Sequence, residues 1–493
     1  MQYLDDDIVD LRRDDGEREQ FYWGDRCQVI GEEHGAMRVV IHGARGPVAN
    51  GLIDRRTGLR DTPLLRLSMV DVQQGDGLIL ETPGGKVVFI DGGDNQLFAR
   101  HANARFPGTS DADPLVVDLM LVTHGDADHF AGLSRLRESE TDTRPGKRIF
   151  VAPRRVYHNG IVKRPSKRDG RELRDVEMLG PTIDVDGEPY LTGLVDDPAA
   201  VPAADRNEPF TDWVETLEVW DERTLRVTGS PIERRRIDQG AQRAFDFLAE
   251  EGLSVQLLGP IAMEVDGGLA LPFLRDPPDD AKLMLGTVEP ARRGSPSASH
   301  TINGHSINFR LTHGNVRMLF TGDLNQEAGR RMREALPAAS LQAEILKAPH
   351  HGSADFDMAL LEAVSPVVSL ISSGDERTAK EYIHPRATLV AALGKASRTT
   401  PGVIFCTELA AFFSVVGYVD DPRPKRHGRV FAFERTNFGI AHVRTDGERV
   451  LAFTHSGRAF MNEAYRFTVS PSGEVEFASK VVKRSAPPGG GHR

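Results

Sequence analysis

Three short stretches hold residues that could do metal chemistry. THGDADH carries His124, Asp126, Asp128 and His129, LFTGD carries Asp323, and LKAPHHGS carries His350 and His351. Each directly follows an apolar run, as a buried strand ending in a polar turn would. Such turns collect along one edge of a sheet, where a rigid scaffold holds loop side chains in fixed relation. Divalent metals need that convergence of imidazole and carboxylate, each at about 2.0–2.2 Å from zinc. HGDADH offers four candidate ligands within six residues, and Asp323 on a separate strand end could place one oxygen on each of two ions. Taken singly, each stretch has a plain structural reading. An HxD can be a helix start with Asp128 as N-cap, TGD a turn, and HH a solvated loop. Their joint occurrence at three strand ends favours the metal reading.

The elements around them read as α/β. LLRLSMVDVQQGDGLILETPGGKVVFIDGG alternates and breaks at Gly75, Gly77 and the 83–85 turn, so it reads as antiparallel strands ending at Asp91. LVVDLMLV then reads as a buried strand before the helix start FAGLSRLRE. Residues 1–63 divide into a charge-dense segment to about residue 20, expected frayed or helical, and a small β-rich module. The main domain is expected over 64–420, interrupted by an insertion or cap at 140–300 that is too long for one bare loop. A β-rich extension follows at 421–483, then a tail over 484–493 with the composition of disorder. No internal repeat is present.

Composition bounds the function. Acidic residues outnumber basic ones by 72 to 61, a net charge of −11, which excludes coating of nucleic acid or anionic lipid by net charge alone. The two cysteines, Cys27 and Cys406, form no disulfide framework and no Cys-type zinc cluster. The acidic start has no apolar core of a secretory signal, and no apolar run is long enough for a bilayer. The expectation is a soluble cytoplasmic protein.

THGDADH resembles the HxHxDH signature of the metallo-β-lactamase fold, in the variant with Asp at the second His position. With FIDGG, LFTGDL, LKAPHHGS and YIHP, it resembles the hydrolase domain of ComEC-type competence proteins and their soluble relatives. The likeness spans about Leu64 to Phe413, and the membrane channel of full ComEC proteins is lacking. The resemblance implies an αββα sandwich with two divalent ions, zinc, manganese or magnesium, at one edge. It implies His124 and Asp126 on the first ion, Asp128 and His129 on the second, Asp323 between them and His351 completing the second site. His350 would be a close neighbour or substrate contact. Asp91 would orient a ligand, and His384 would contact substrate phosphate or steady a ligand. Asp126 in place of a second His makes the first site richer in oxygen, which favours manganese or magnesium relative to zinc. A further His is expected from the segment before TGD. There His300, His305 and His313 compete, with His305 the first choice, and Asn303 with Ser306 as the alternative.

The implied function is a metal-dependent hydrolase, most readily a phosphodiesterase or nuclease, with Asp128, Asp323 and His350 at the chemistry. Eight Lys/Arg between Val151 and Asp175 include Lys163, Arg164, Lys167 and Arg168, candidates to hold a nucleic-acid backbone. A solvated loop paired with acidic neighbours is the competing reading of that run. Trp213 and Trp220 read as core of the insertion. Two other function classes stay open: a hydrolase of a small ester, lactone or phosphocholine-type diester, and a non-catalytic module that binds a protein partner. A regulatory protein partner would also suit a hydrolase with long appended segments. The oligomeric state is not readable.

Overall fold

Alternation of side chains along the central strands divides them between two cores. Leu67, Leu80, Val88 and Leu121 face one apolar cluster, while their neighbours Ile79, Phe89 and Met120 face another. The computed structural model describes residues 1–168, 170–280, 284, 286–374, 384–408, 412–420, 428–437, 439–455 and 462–486. Ten strands form the first central sheet, in the order 233–236, 155–158, 119–121, 87–90, 78–81, 65–70, 440–445, 449–455, 464–469 and 475–477. Six form the second: 253–259, 308–313, 316–320, 345–347, 368–371 and 403–406.

Leu67, Val88 and Leu121 of the first sheet share one buried cluster with Phe309, Met318 and Ile345 of the second, so the main core lies between the sheets. On the far side of the first sheet lie helices α1 (Leu97–Arg105), α2 (Ala127–Ser139) and α3 (Glu208–Thr228). Phe98, Phe130, Leu133 and Leu217 bury that face. Helices Gln326–Ala335, Met358–Val364 and Ala387–Ala396 bury the outer face of the second sheet through Met332, Leu361 and Leu389. Trp213 and Trp220 stand edge to face at 5.9 Å, and Trp213 packs on Phe130 of α2, so both belong to the core beneath α2.

The 140–300 segment is not wholly a cap. Arg155–His158 and Glu233–Arg236 extend the first sheet in parallel, and Leu253–Gly259 pairs with Asn308–His313 in the second. Only the stretches between these strands leave the sheets. Four strands of the C-terminal extension, 440–445, 449–455, 464–469 and 475–477, likewise continue the first sheet, while Arg429–Asn437 pairs with Phe412–Asp420 in a separate two-stranded sheet. Ile440–Thr445 covers the edge that Leu65–Val70 would otherwise expose, with Val443 opposite Leu67.

Residues 1–20, expected frayed or helical, are strands of a separate eight-stranded sheet. Leu4, Val9 and Leu11 bury its core, and the buried acids Asp7 and Asp10 are paired inside the molecule. Asp7 meets Arg449 and Arg466, and Asp10 accepts from Gln20 and Ser485. The start of the expected tail, Arg484 and Ser485, pairs together with Lys483 to Ile8–Arg12, while residues 487–493 lie outside the described residues. No helix among the described residues is long and apolar enough to cross a membrane.

Candidate metal centre

Five strands deliver polar residues to one edge. Val87–Ile90 and Leu119–Leu121 run parallel, as do Val316–Phe320 and Ile345–Lys347, so within each sheet the carboxyl ends coincide. Asp91, His124, Asp323 and His350–His351 follow directly or within four residues, and Leu65–Val70 leads to the Asp71–Asp76 loop. Helix α2 begins at Ala127, with Asp126 rather than Asp128 in the N-cap position, and Asp126 makes no capping bond.

Asp76, His129, Asp323 and His351, all buried, offer ligand atoms within 4.8 Å of one another. The Nε2 atoms of His129 and His351 face each other at 3.2 Å. Asp323 sets Oδ1 3.2 Å from His129 and Oδ2 3.1 Å from His351. Nδ1 of His129 donates to Asp91 Oδ2 at 2.8 Å, a bond that directs Nε2 into the cluster. Asp91 also accepts from the Thr123 backbone N–H at 2.8 Å and its hydroxyl at 2.6 Å. Asp76 stands 3.3 Å from His351 Nδ1 and forms an ion pair with the buried Lys347, whose ammonium also donates to Gly322 O at 2.9 Å.

The donor set fits a divalent ion. Among the described residues His124 Nε2 is buried without a hydrogen-bond partner, a costly arrangement in an apolar surrounding. Burial pulls His129 down, yet the carboxylates of Asp323 and Asp91 outweigh it and hold it well above the usual imidazole range. His351 is carried against its burial up to about 9 by Asp323 and Asp76. Burial pushes Asp323 up, but His129 and His351 hold it well below the carboxylate range. Protons on two imidazoles thus balance the carboxylates where a cation would. His124, by contrast, is pushed well down by burial and by His129, so its lone pair is free to ligate.

The surrounding backbone is strained. Of eight non-glycine residues with left-handed φ among the described residues, four are Gln73, Asp91, His350 and His351. Gly75 has φ +97°, and a Cβ there would stand 1.6 Å from Asp128 O. The loop carrying Asp76 can therefore lie against α2 only through a glycine.

Asp128 is placed at the rim, its Oδ2 3.7 Å from His351 Nε2 and held by Gln74 at 3.2 Å. Asp126 accepts from Lys163 Nζ at 2.5 Å. His350 Nε2 lies 3.6 Å from Asp323 Oδ2, and the His384 ring stands 6.0 Å from that of His350. Burial, then His350, pushes His384 down to about 3, so its imidazole is neutral. Tyr382 and Ile383 of YIHP lie outside the described residues.

His305 does not join the cluster. It falls at the C-terminal end of the Ala298–Gly304 helix, where the turn directs Nε2 to Pro272 O at 2.8 Å. Ser306 and Asn303 occupy the position instead. Ser306 Oγ lies 3.2 Å from His124 Nδ1 and accepts the Asp323 N–H at 2.9 Å, and Asn303 Nδ2 meets His350 Nε2 at 3.3 Å. Of the four basic candidates, Lys163 alone pairs with an expected ligand, Asp126, among the described residues. Lys167 pairs with Glu172, Arg168 with Asp205, and the Arg164 N–H donates to Met178 O.

Asp76 and Lys347 escaped the sequence reading. The QQGDG turn after the apolar run LSMV was the available signal for Asp76, being another strand-end acid. Residues 70–374, more than half of the chain, match the profile of the Metallo-beta-lactamase superfamily. No curated protein matches the chain.

Proposed function

The chain belongs to the metallo-beta-lactamase superfamily, and from that premise we propose that it is a phosphodiesterase whose substrate is nucleic acid. The superfamily's chemistry is metal-dependent hydrolysis, and the buried Asp76–His129–Asp323–His351 cluster carries that much. We read the layered sheets as the superfamily's αββα sandwich. His129, Asp323 and His351 would hold one divalent ion, with Asp76 beside them, and His124, Asp126 and Asp128 would serve a second. The oxygen-rich set favours manganese or magnesium relative to zinc. A bound divalent ion supplies Lewis-acid polarisation and an activated water.

The chain's own residues supply positioning. Asp91 orients His129, Ser306 fixes both His124 and the Asp323 backbone, and Asp128 at the rim is placed to orient the attacking group. Lys163, about a quarter exposed at the site, is a cation that a substrate phosphate can engage. The likeness of THGDADH, LFTGDL and LKAPHHGS to the hydrolase domain of ComEC-type proteins supports a phosphodiester substrate. Buried, unpaired Cys27 and Cys406 support a cytoplasmic setting. The appended sheets leave room for a regulatory protein partner.

One observation favours a second reading, a small ester or diester. Lys167, Arg168, Arg171 and Arg174 each pair with a carboxylate, so the 140–300 segment presents little free charge to a long backbone. The test is turnover of single-stranded DNA, duplex DNA, RNA, bis-p-nitrophenyl phosphate and p-nitrophenyl acetate by the manganese- or zinc-loaded chain. The expected result is metal-dependent cleavage of the phosphodiesters, abolished in Asp323→Asn. In Lys163→Met the polymers should bind more weakly, with a salt slope lower by about one. Turnover of the acetate ester alone would replace the first reading by the second.

A further inference from the structure

A cavity of about 470 Å³ opens between the N-terminal sheet, helix α1 and the strand Ile440–Thr445, and shares no lining residue with the metal centre. Its volume is within the range of small-molecule pockets, about 300–1,000 Å³. Its charge is unbalanced. Arg66 lies on Leu65–Val70 with Glu81 directly opposite on one neighbouring strand and Arg444 on the other. Like charges directly opposite on adjacent strands are destabilising. Arg105 of α1 enters the same space, so three guanidinium groups face the two buried carboxylates of Asp25 and Glu81, while the part-exposed Glu19 on the wall is already paired with Arg13.

The pairing leaves one cation over. Arg105 donates to Glu81 at 2.8 Å. Arg444 holds Asp25 at 3.0 Å and donates to the carbonyls of Tyr22 and Trp23. Asp25 accepts in addition the Tyr22 N–H at 2.8 Å. Arg66 is left 3.5 Å from that already engaged carboxylate, with its side chain 13% exposed, and it donates no hydrogen bond among the described residues. Burial, then the neighbouring Arg444, pulls its guanidinium down to about 9, the signature of a cation without enough counter-charge. Three of the histidines on the walls are held neutral. Burial, then Arg105, pushes His101 down to about 4, and burial pushes His442 well below and His455 below the usual range. A neutral imidazole can still donate an N–H to an anion.

We infer that this cavity is a second binding site, for a small molecule bearing a phosphate or carboxylate group that pairs with Arg66. A guanidinium grips such oxyanions through two parallel N–H···O bonds, stronger than neutral hydrogen bonds. The site is independent of the hydrolytic reading and of the metal.

Arginine modification by phenylglyoxal, mapped by peptide mass spectrometry on the metal-loaded full chain, tests this directly. The probes are phenyl phosphate and succinate, which separate a phosphate site from a carboxylate site. At least one should slow modification of Arg66 saturably, equally in wild type and in Asp323→Asn, without protecting the exposed Arg243. Calorimetric titration with that probe should show Arg66→Met binding at least about tenfold more weakly. The protection measurement needs no variant, so a misfolded Arg66→Met leaves it standing. The inference is overturned if neither probe protects Arg66, if Arg66 never reacts in the free chain, or if folded Arg66→Met binds as wild type does.

Discussion

Replacing Asp91 by Asn tests whether a residue outside the cluster sets the ligand geometry. The side chain is fully buried, and its two oxygens accept three bonds, from the Thr123 N–H, the Thr123 hydroxyl and His129 Nδ1. Asn has nearly the same shape and tolerates the left-handed φ of 57°, so the backbone gives no reason for a loss. The hydrogen-bond count does. With the amide oxygen toward His129 and the Thr123 hydroxyl, the NH₂ group meets the Thr123 N–H, donor against donor. With the amide reversed, NH₂ faces His129 Nδ1 and forces the proton to Nε2, which removes the lone pair from the cluster. The first arrangement leaves a buried donor unsatisfied at about 1–3 kcal/mol. The second removes the orientation of a ligand histidine, an effect of about 10–100-fold on metal affinity, or roughly 1.4–2.7 kcal/mol. Competition titration against a chromophoric chelator reads the affinity, and circular dichroism melts read the fold. Asp91→Asn with wild-type metal affinity and wild-type stability would refute the reasoning.

Gly75→Ala should cost at least about 1–3 kcal/mol of stability from conformation alone, since Gly75 sits at φ +97°. Its Cβ would also collide with Asp128 O, driving the Asp76 loop off α2, so chelator competition should show weaker metal binding in the same variant. Metal uptake should strengthen as pH rises toward about 9, because the proton on His351 must leave before the nitrogen can ligate. The metal-free chain should show the opposite trend. His351 has a folded pKa raised to about 9 from an unfolded value near 6.5. Its contribution to stability is complete below about 6.5 and is lost as pH climbs through about 9. Thermal melts with and without manganese across that window check both signs.

Much of the site's placement was legible because strand-end turns are local features. THGDADH, TGD and HHGS each announce an apolar strand followed by ligand-type residues, and parallel pairing brings their ends together. Asp76 was not legible, since QQGDG contains no histidine and reads as an ordinary hairpin break. Its meaning comes from Lys347 and His351, which are distant in sequence. The choice among His300, His305, Asn303 and Ser306 depends on where a short helix ends, and one residue of phase turns a side chain from the site toward Pro272. The acidic N-terminus read as frayed or helical because the arginines that neutralise Asp7, Arg449 and Arg466, come from the far end of the chain. Glu233–Arg236 is an edge strand of the first sheet, where Arg234 pairs with Asp197 and Arg236 with Asp238. Pairing partners that distant leave no trace in local periodicity.

The central claim is that Asp76, His129, Asp323 and His351 hold a divalent ion at the sheet edge. Elemental analysis of the purified full chain, paired with anomalous scattering at the absorption edge of the ion found, tests it most directly. The expected result is an anomalous peak among those four side chains, with the ion lost in His129→Ala while the circular dichroism spectrum is retained. A folded chain that takes up neither manganese nor zinc when loaded, or that places the ion away from His129 and Asp323, would contradict it.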